Sequence, residues 1–231
     1  MTGTLINVAA VLAGTAVGTV LGSRLPQRVQ QRVLAGLGLI TLVLGVDYAL
    51  GWRDTNPLFV LGAVLLGGLA GEALDIERRL ESLGDRIQAR VAGAGESTVS
   101  QGFFTASLLF CVGPLTVVGS IQDGLSGDYQ ALATKALLDG FAAVALASTL
   151  GWGVGLSAIS VLLVQGSISL GAGAFDDVLE GEALAALTST GGMLIIGISL
   201  RLLEVRDVKV GNFLPALVIA PVLVGVVRAL A

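Results

Sequence analysis

The chain contains no histidine and a single cysteine, Cys111. These absences exclude a disulfide framework and remove the usual ligands of zinc and haem. Without histidine there is no base for a rhomboid-type serine protease, and no HExxH for a zinc protease. Intramembrane aspartyl proteases pair YD with GxGD, but here Asp47-Tyr48 is reversed and GLSGD (124–128) is one residue too long. No GxxxxGK[ST] phosphate loop occurs, so ATP-driven pumping by this chain is not expected. Neither enzyme activity nor a cofactor is expected.

Charge is scarce as well. Only 13% of the 231 residues are charged, while 54% are hydrophobic, and the mean hydropathy is +0.89. A soluble domain of this size would carry far more charge, so the composition selects a membrane protein with the lipid bilayer as its first partner. The basic residues lie between apolar runs rather than on one face, which argues against nucleic acid. The N-terminal MTGTLINVAAVLAG lacks a basic n-region and reads as a first span rather than a signal peptide.

A helix needs about 20 mostly apolar residues to cross the hydrocarbon core. Eight segments qualify, at 3–22, 33–51, 57–74, 102–120, 131–150, 154–172, 183–202 and 211–229. The expected fold is a single all-α transmembrane bundle over 1–231, with one or more interrupted helices. Lys and Arg favour the cytoplasmic side. Placing both termini outside puts Arg24, Arg28, Arg32, Arg78, Arg79, Arg86, Arg90, Arg201, Arg206 and Lys209 inside. Only Arg53, Lys135 and Arg228 then fall outside, with the acidic loop 174–182. A seven-span alternative, with GWG (151–153) buried in one long helix, weakens that bias. A tight cytoplasmic GWG turn is preferred. Within the long connection 72–98, Ile76, Leu80, Leu83, Ile87 and Val91 recur every three or four residues, the pattern of an amphipathic helix on the inner membrane surface.

Gly14, Gly18 and Gly22 form one stripe of the first span, and Gly67 and Gly71 repeat the spacing in the third. Such stripes let helix backbones approach closely, either within the chain or between copies in a homo-oligomer. Residues 36–68 and 191–223 echo each other: a glycine-rich helix, an Arg-Asp pair, an Asn with Pro nearby, then a second apolar helix. Their expected orientations are opposite, as in the inverted repeats of many secondary transporters.

The polar content concentrates in GSIQDGLSGDYQALATKALLDG (119–140). Its glycine-rich first half, 119–129, reads as a loop or an interrupted helix, either outside or dipping back into the bundle. In the second half, any window long enough to span must include Lys135 and Asp139. Asp139 then lies ~12 Å below the span's outer end. An ionised aspartate there costs at least ~2.5–3.5 kcal/mol unless paired or hydrated. Lys135, one turn away, is the natural partner, though it could also snorkel outward. The candidate solute or ion pathway comprises Asp139, Lys135, Asp123, Gln122, Ser120, Asn7 and Gln165, with no metal site.

GTLINVAAVLAGTAVG (3–18), LAGEALDIERRLESLG (69–84), LLFCVGPLTVVGSIQDGLSGDY (108–129), KALLDG (135–140), STLGWGVGLSAISVLLVQGSISL (148–170) and NFLPAL (212–217) resemble, in order, the bacterial inner-membrane family called domain of unknown function 554. Pro114-Leu115 and Arg201 depart from that pattern. The resemblance implies a polytopic inner-membrane protein and points towards transport, without naming a substrate. The expectation is a secondary transporter or channel for a small solute or ion. The alternative is a non-transporting scaffold that uses the 72–91 helix and the glycine stripes.

Overall fold

The computed structural model describes residues 1–22, 24, 26–79, 82, 98–111, 114–173, 179 and 181–230. Most of the amphipathic connector 72–98 and of the acidic loop 174–182 lies outside the described residues. Among those described, every regular element is helical: α1 Thr2–Gly22, α2 Gln27–Ala49, α3 Pro57–Leu74, α4 Thr98–Cys111, α5 Pro114–Leu125, α6 Gln130–Leu150, α7 Ser157–Leu170, α8 Gly181–Leu202 and α9 Pro215–Leu230. Short 3-10 turns follow α2, follow α6 and precede α9.

Local chemistry sets several ends. Asn56 caps α3, its side chain accepting from the Leu58 N–H at 3.0 Å, and Pro57 fills the first helical position, where a missing N–H costs nothing. Asp128 Oδ1 accepts from the Gln130 N–H at 3.1 Å, holding the start of α6. Gly151, at φ +75°, closes it, a conformation that side chains with a Cβ rarely adopt.

Among the described residues, six helical stretches are long and apolar enough to cross a membrane, or seven if the bent pair Val99–Cys111 and Leu115–Leu125 forms one span. One of the six is the 41-residue run Gln130–Leu170. Straight, it would measure ~60 Å, about twice the hydrocarbon thickness. It is not straight. A Cβ added at Gly14, Gly18 or Gly22 would strike the carbonyls of Gly140, Val144 and Ser148, so α1 and α6 run parallel. A Cβ at Gly155 would meet Thr15 and one at Gly166 would meet Met1, the reverse order. Helix α7 therefore runs back against α6, and the GWG segment turns the chain.

The chain divides into two compact units. The first holds α1, α4, α5, α6 and α7. There α4 and α5 bend by 63°. Gly153 packs on Val99 at one end, Ser107 bonds Ser160 at 2.9 Å, and Ser120 meets Ser169 at the other end. The bent pair thus travels one way along α7, as a broken span would, rather than dipping and returning.

Of the loop or interrupted helix expected over 119–129, residues 119–125 are helical and the chain leaves the helix only at 126–129. The break falls earlier, between Cys111 and Pro114. The glycines of this stretch have different uses. Gly119 and Gly124 sit where a Cβ would crowd Leu132 and the Ser169 carbonyl, whereas Gly127, at φ +73° with open space around it, makes the turn.

The second unit holds α3, α8, α9 and α2 from Gly38 onward. Gly38, Gly45 and Ala49 face Leu203, Ile196 and Gly192, so α2 and α8 are antiparallel. Gly62, Gly67 and Gly71 face Leu223, Ala216 and Asn212, so α3 and α9 are antiparallel too. The core between α3, α8 and α9 is built from small residues, Ala63, Ala183, Ala186, Ala216, Ala220 and Val224. Such a core suits helices that associate by close packing where lipid removes the hydrophobic drive.

Candidate functional site

The first unit buries three ionisable side chains among the described residues: Asp123, Lys135 and Asp139. Lys135 and Asp139 lie one turn apart on α6, and the spacing aims both along one face. The Lys135 ammonium donates to Asp139 Oδ2. Both residues are more than nine-tenths buried, so Lys135 does not snorkel. Asn7, fully buried on α1, donates its Nδ2 to the same oxygen at 2.9 Å. An ionised carboxylate only accepts, which fixes the amide orientation and turns Asn7 Oδ1 the other way.

A second polar group lies towards the start of α1. Asp123 Oδ2 accepts from the Gly3 N–H at 3.1 Å and faces the Met1 ammonium at 2.9 Å. Ser120, one turn before Asp123, accepts at its carbonyl from Ser169 Oγ at 2.9 Å. Gln165 lies one turn before Ser169 on α7 and is fully buried. Several side-chain atoms here have no hydrogen-bond partner: Thr4 Oγ1, Asn7 Oδ1, Ser120 Oγ, Asp123 Oδ1 and both amide atoms of Gln165. A buried polar group left unpaired costs about 1–3 kcal/mol, and native folds hold few of them. Farther along α1, Thr15 Oγ1 and Thr19 Oγ1 are unpartnered as well.

Of the seven expected pathway residues, the structure joins Asn7, Lys135 and Asp139 directly. It places Ser120, Asp123 and Gln165 in the second group. Gln122 is exposed and its carbonyl merely receives Ser126, so it stands apart. Thr4 escaped sequence reasoning, yet it shares a helix face with Asn7 at a spacing of three, and that signal was available. An apolar groove of about 260 Å³ runs between α1 and α6, lined by Ala10, Gly14, Val17, Leu137, Phe141 and neighbours. It offers no polar side chain and suits hydrocarbon.

The second unit holds a polar knot that sequence reasoning also missed. Glu77, buried just beyond α3, accepts from Arg201 at 2.8 Å and from the Gly211 N–H, while its own N–H donates to Asn212 Oδ1 at 2.8 Å. Asn212 Nδ2 donates to Glu72 at 2.6 Å, and Arg201 Nε pairs with Asp207 at 3.1 Å. The first inward carboxylate of the connector is therefore a brace joining α3, α8 and the turn before α9. Every polar contact there is satisfied within the protein, as expected of a structural tie. Among the described residues no cluster of three or more His, Cys, Asp or Glu could hold a metal ion.

Comparison with known proteins now places the chain. The family described as "Protein of unknown function (DUF554)" matches residues 2–225. The chain belongs to this family. The uncharacterized membrane protein YdfK of Bacillus subtilis (strain 168) is 30% identical over 99% of this chain and 98% of its own length. The uncharacterized protein YqgA of Escherichia coli (strain K12) is 30% identical over 94% of each. No solved structure matches. The family and the apolar helices together make this a polytopic membrane protein.

Proposed function

We propose that this family member is a secondary transporter or channel that passes a small solute or ion across the bacterial cytoplasmic membrane. The observation that carries the reading is the Asn7–Asp139–Lys135 cluster, buried among membrane helices beside polar atoms that lack partners. Ionisable groups inside a membrane are costly and mark pathways for ions, protons or solutes. The solute meets Asp139, Asn7 and the second group in turn, and the bend between α4 and α5 supplies the interrupted helix that such sites use.

The reading includes eight crossings, with α4 and α5 forming one and α6 and α7 forming two, and both termini outside. It also includes an inverted repeat of α2–α3 and α8–α9. The antiparallel pairing of α2 with α8, and of α3 with α9, supports that relation. The protein acts without a cofactor and is not an enzyme.

Flux in proteoliposomes tests the proposal. Asp139→Asn, purified folded though less stable because Lys135 loses its charge partner, should abolish uptake of the cognate solute, and unchanged uptake would remove the site from the pathway. A non-transporting scaffold is the competing reading. It is favoured by the way Lys135 and Asp139 neutralise each other, as a structural pin would. Its signature is a fixed partner or a second copy that co-purifies with the chain, whether or not Asp139 is replaced.

A further inference from the structure

The described basic residues differ in the company they keep. Lys135, Arg78, Arg201 and Arg228 each face a carboxylate. Arg53, Arg79, Arg206 and Lys209 have an Asp or Glu within two residues in sequence. Arg24, Arg28 and Arg32 have neither. No carboxylate among the described residues pairs with them, and no acidic residue occurs between Met1 and Asp47. Arg24 sits in the turn after α1, its N–H donating to the Leu21 carbonyl at 3.0 Å. Arg28 and Arg32 follow on the first two turns of α2, four residues apart and so on one face. All three are exposed.

Position decides what can approach them. Helix α1 carries no charged side chain, and α2 carries none from Val33 to Val46, so hydrocarbon begins on either side of this turn. The ten residues between Gly22 and Val33 hold three Arg, three Gln and no Asp or Glu. Val20, Leu21 and Val29, close to the arginines in sequence, are exposed as well. Guanidinium charge next to exposed apolar side chains, at the end of a span, suits an amphiphile with a phosphate above a hydrocarbon tail. A nucleic acid or an acidic peptide would leave those apolar side chains in water.

We propose that Arg24, Arg28 and Arg32 form a docking surface for anionic phospholipid, their guanidinium groups donating to the phosphate oxygens of the headgroup. Net negative charge on the lipid adds an attraction that a zwitterionic headgroup lacks. The surface is independent of the transport reading.

The test titrates the full chain in detergent with phosphatidylglycerol or phosphatidylcholine of identical acyl chains, and native mass spectrometry reads the bound lipid. Phosphatidylglycerol should bind more tightly, and raising ammonium acetate roughly tenfold should erase most of the preference by screening. Arg28→Gln and Arg32→Gln should each weaken phosphatidylglycerol binding by roughly fivefold and leave phosphatidylcholine binding unchanged. Arg53→Gln, just past the other end of α2, should keep the preference. Replacing Arg24, Arg28 and Arg32 together with Gln should abolish it, and if that protein fails to insert, the single variants decide. Equal binding of the two lipids, or an undiminished preference in both single variants, would overturn the surface. Displacement of the lipid by an equal concentration of free glycerophosphoglycerol would overturn the lipid as partner, in favour of a soluble phosphodiester.

Discussion

At the scale of single residues, the decisive contact is one carboxylate oxygen shared by Lys135 and Asn7. Removing one member of a buried pair strands the other, at a cost of about 3–5 kcal/mol, whereas replacing both with apolar groups is often neutral. Lys135→Met should therefore lower unfolding stability in detergent by about that amount, and Lys135→Met with Asp139→Leu should recover most of it. Both variants should lose flux. Recovery of flux along with stability would mean the pair only holds the helix in place. In the other unit, Glu77→Gln should lower the melting temperature, because the charged bridge to Arg201 becomes a neutral one. The Lys135–Asp139 pair was legible in the sequence, since no spanning window could omit either residue. Asn7 as its partner was not, because 132 residues separate them and no local pattern encodes that distance.

At the scale of elements, glycine carries the argument. Gly14, Gly18 and Gly22 let α1 lie on the backbone of α6, and a Cβ at any of them would strike a carbonyl. Gly18→Leu should therefore separate the two helices and cost at least the ~1–3 kcal/mol of an overpacked core. Gly36→Ala, at a position with no neighbour within 4 Å, should be neutral or slightly stabilising. Thermal unfolding of both variants checks this, and equal losses would mean that glycine content rather than position matters. The stripe itself was readable from its four-residue spacing. Its partner and the parallel direction were not, because apolar helices of similar composition are interchangeable to a pattern of periods. The same ambiguity misplaced the break in the fourth span. Gly119 and Gly124 signal flexibility by composition, yet inside a helix they serve close packing.

At the scale of the molecule, the distribution of Lys and Arg makes a prediction about sidedness. In a Cys111→Ser background, a cysteine at exposed Asp128 should react with an impermeant thiol reagent applied outside intact cells. One at exposed Val205 should react only after the membrane is opened. The opposite labelling would invert the proposed topology. The positions of the long apolar helices were legible because the bilayer imposes a length on every apolar run. The division into two units was not, since it depends on which helices meet rather than on where they begin and end.

The parallel embrace of α1 and α6 has a consequence for biogenesis. Two helices pointing the same way cannot be neighbours through a short hairpin, and here well over a hundred residues of chain separate the contacting positions. Helix α1 is made well before α6, so Asn7 lacks its Asp139 partner until that much later segment is inserted beside it. Assembly of this unit is thus governed by long-range closure late in synthesis, the slow and exposed kind. A nascent chain arrested before Gln130 would carry Asn7 without the carboxylate that accepts its hydrogen bond.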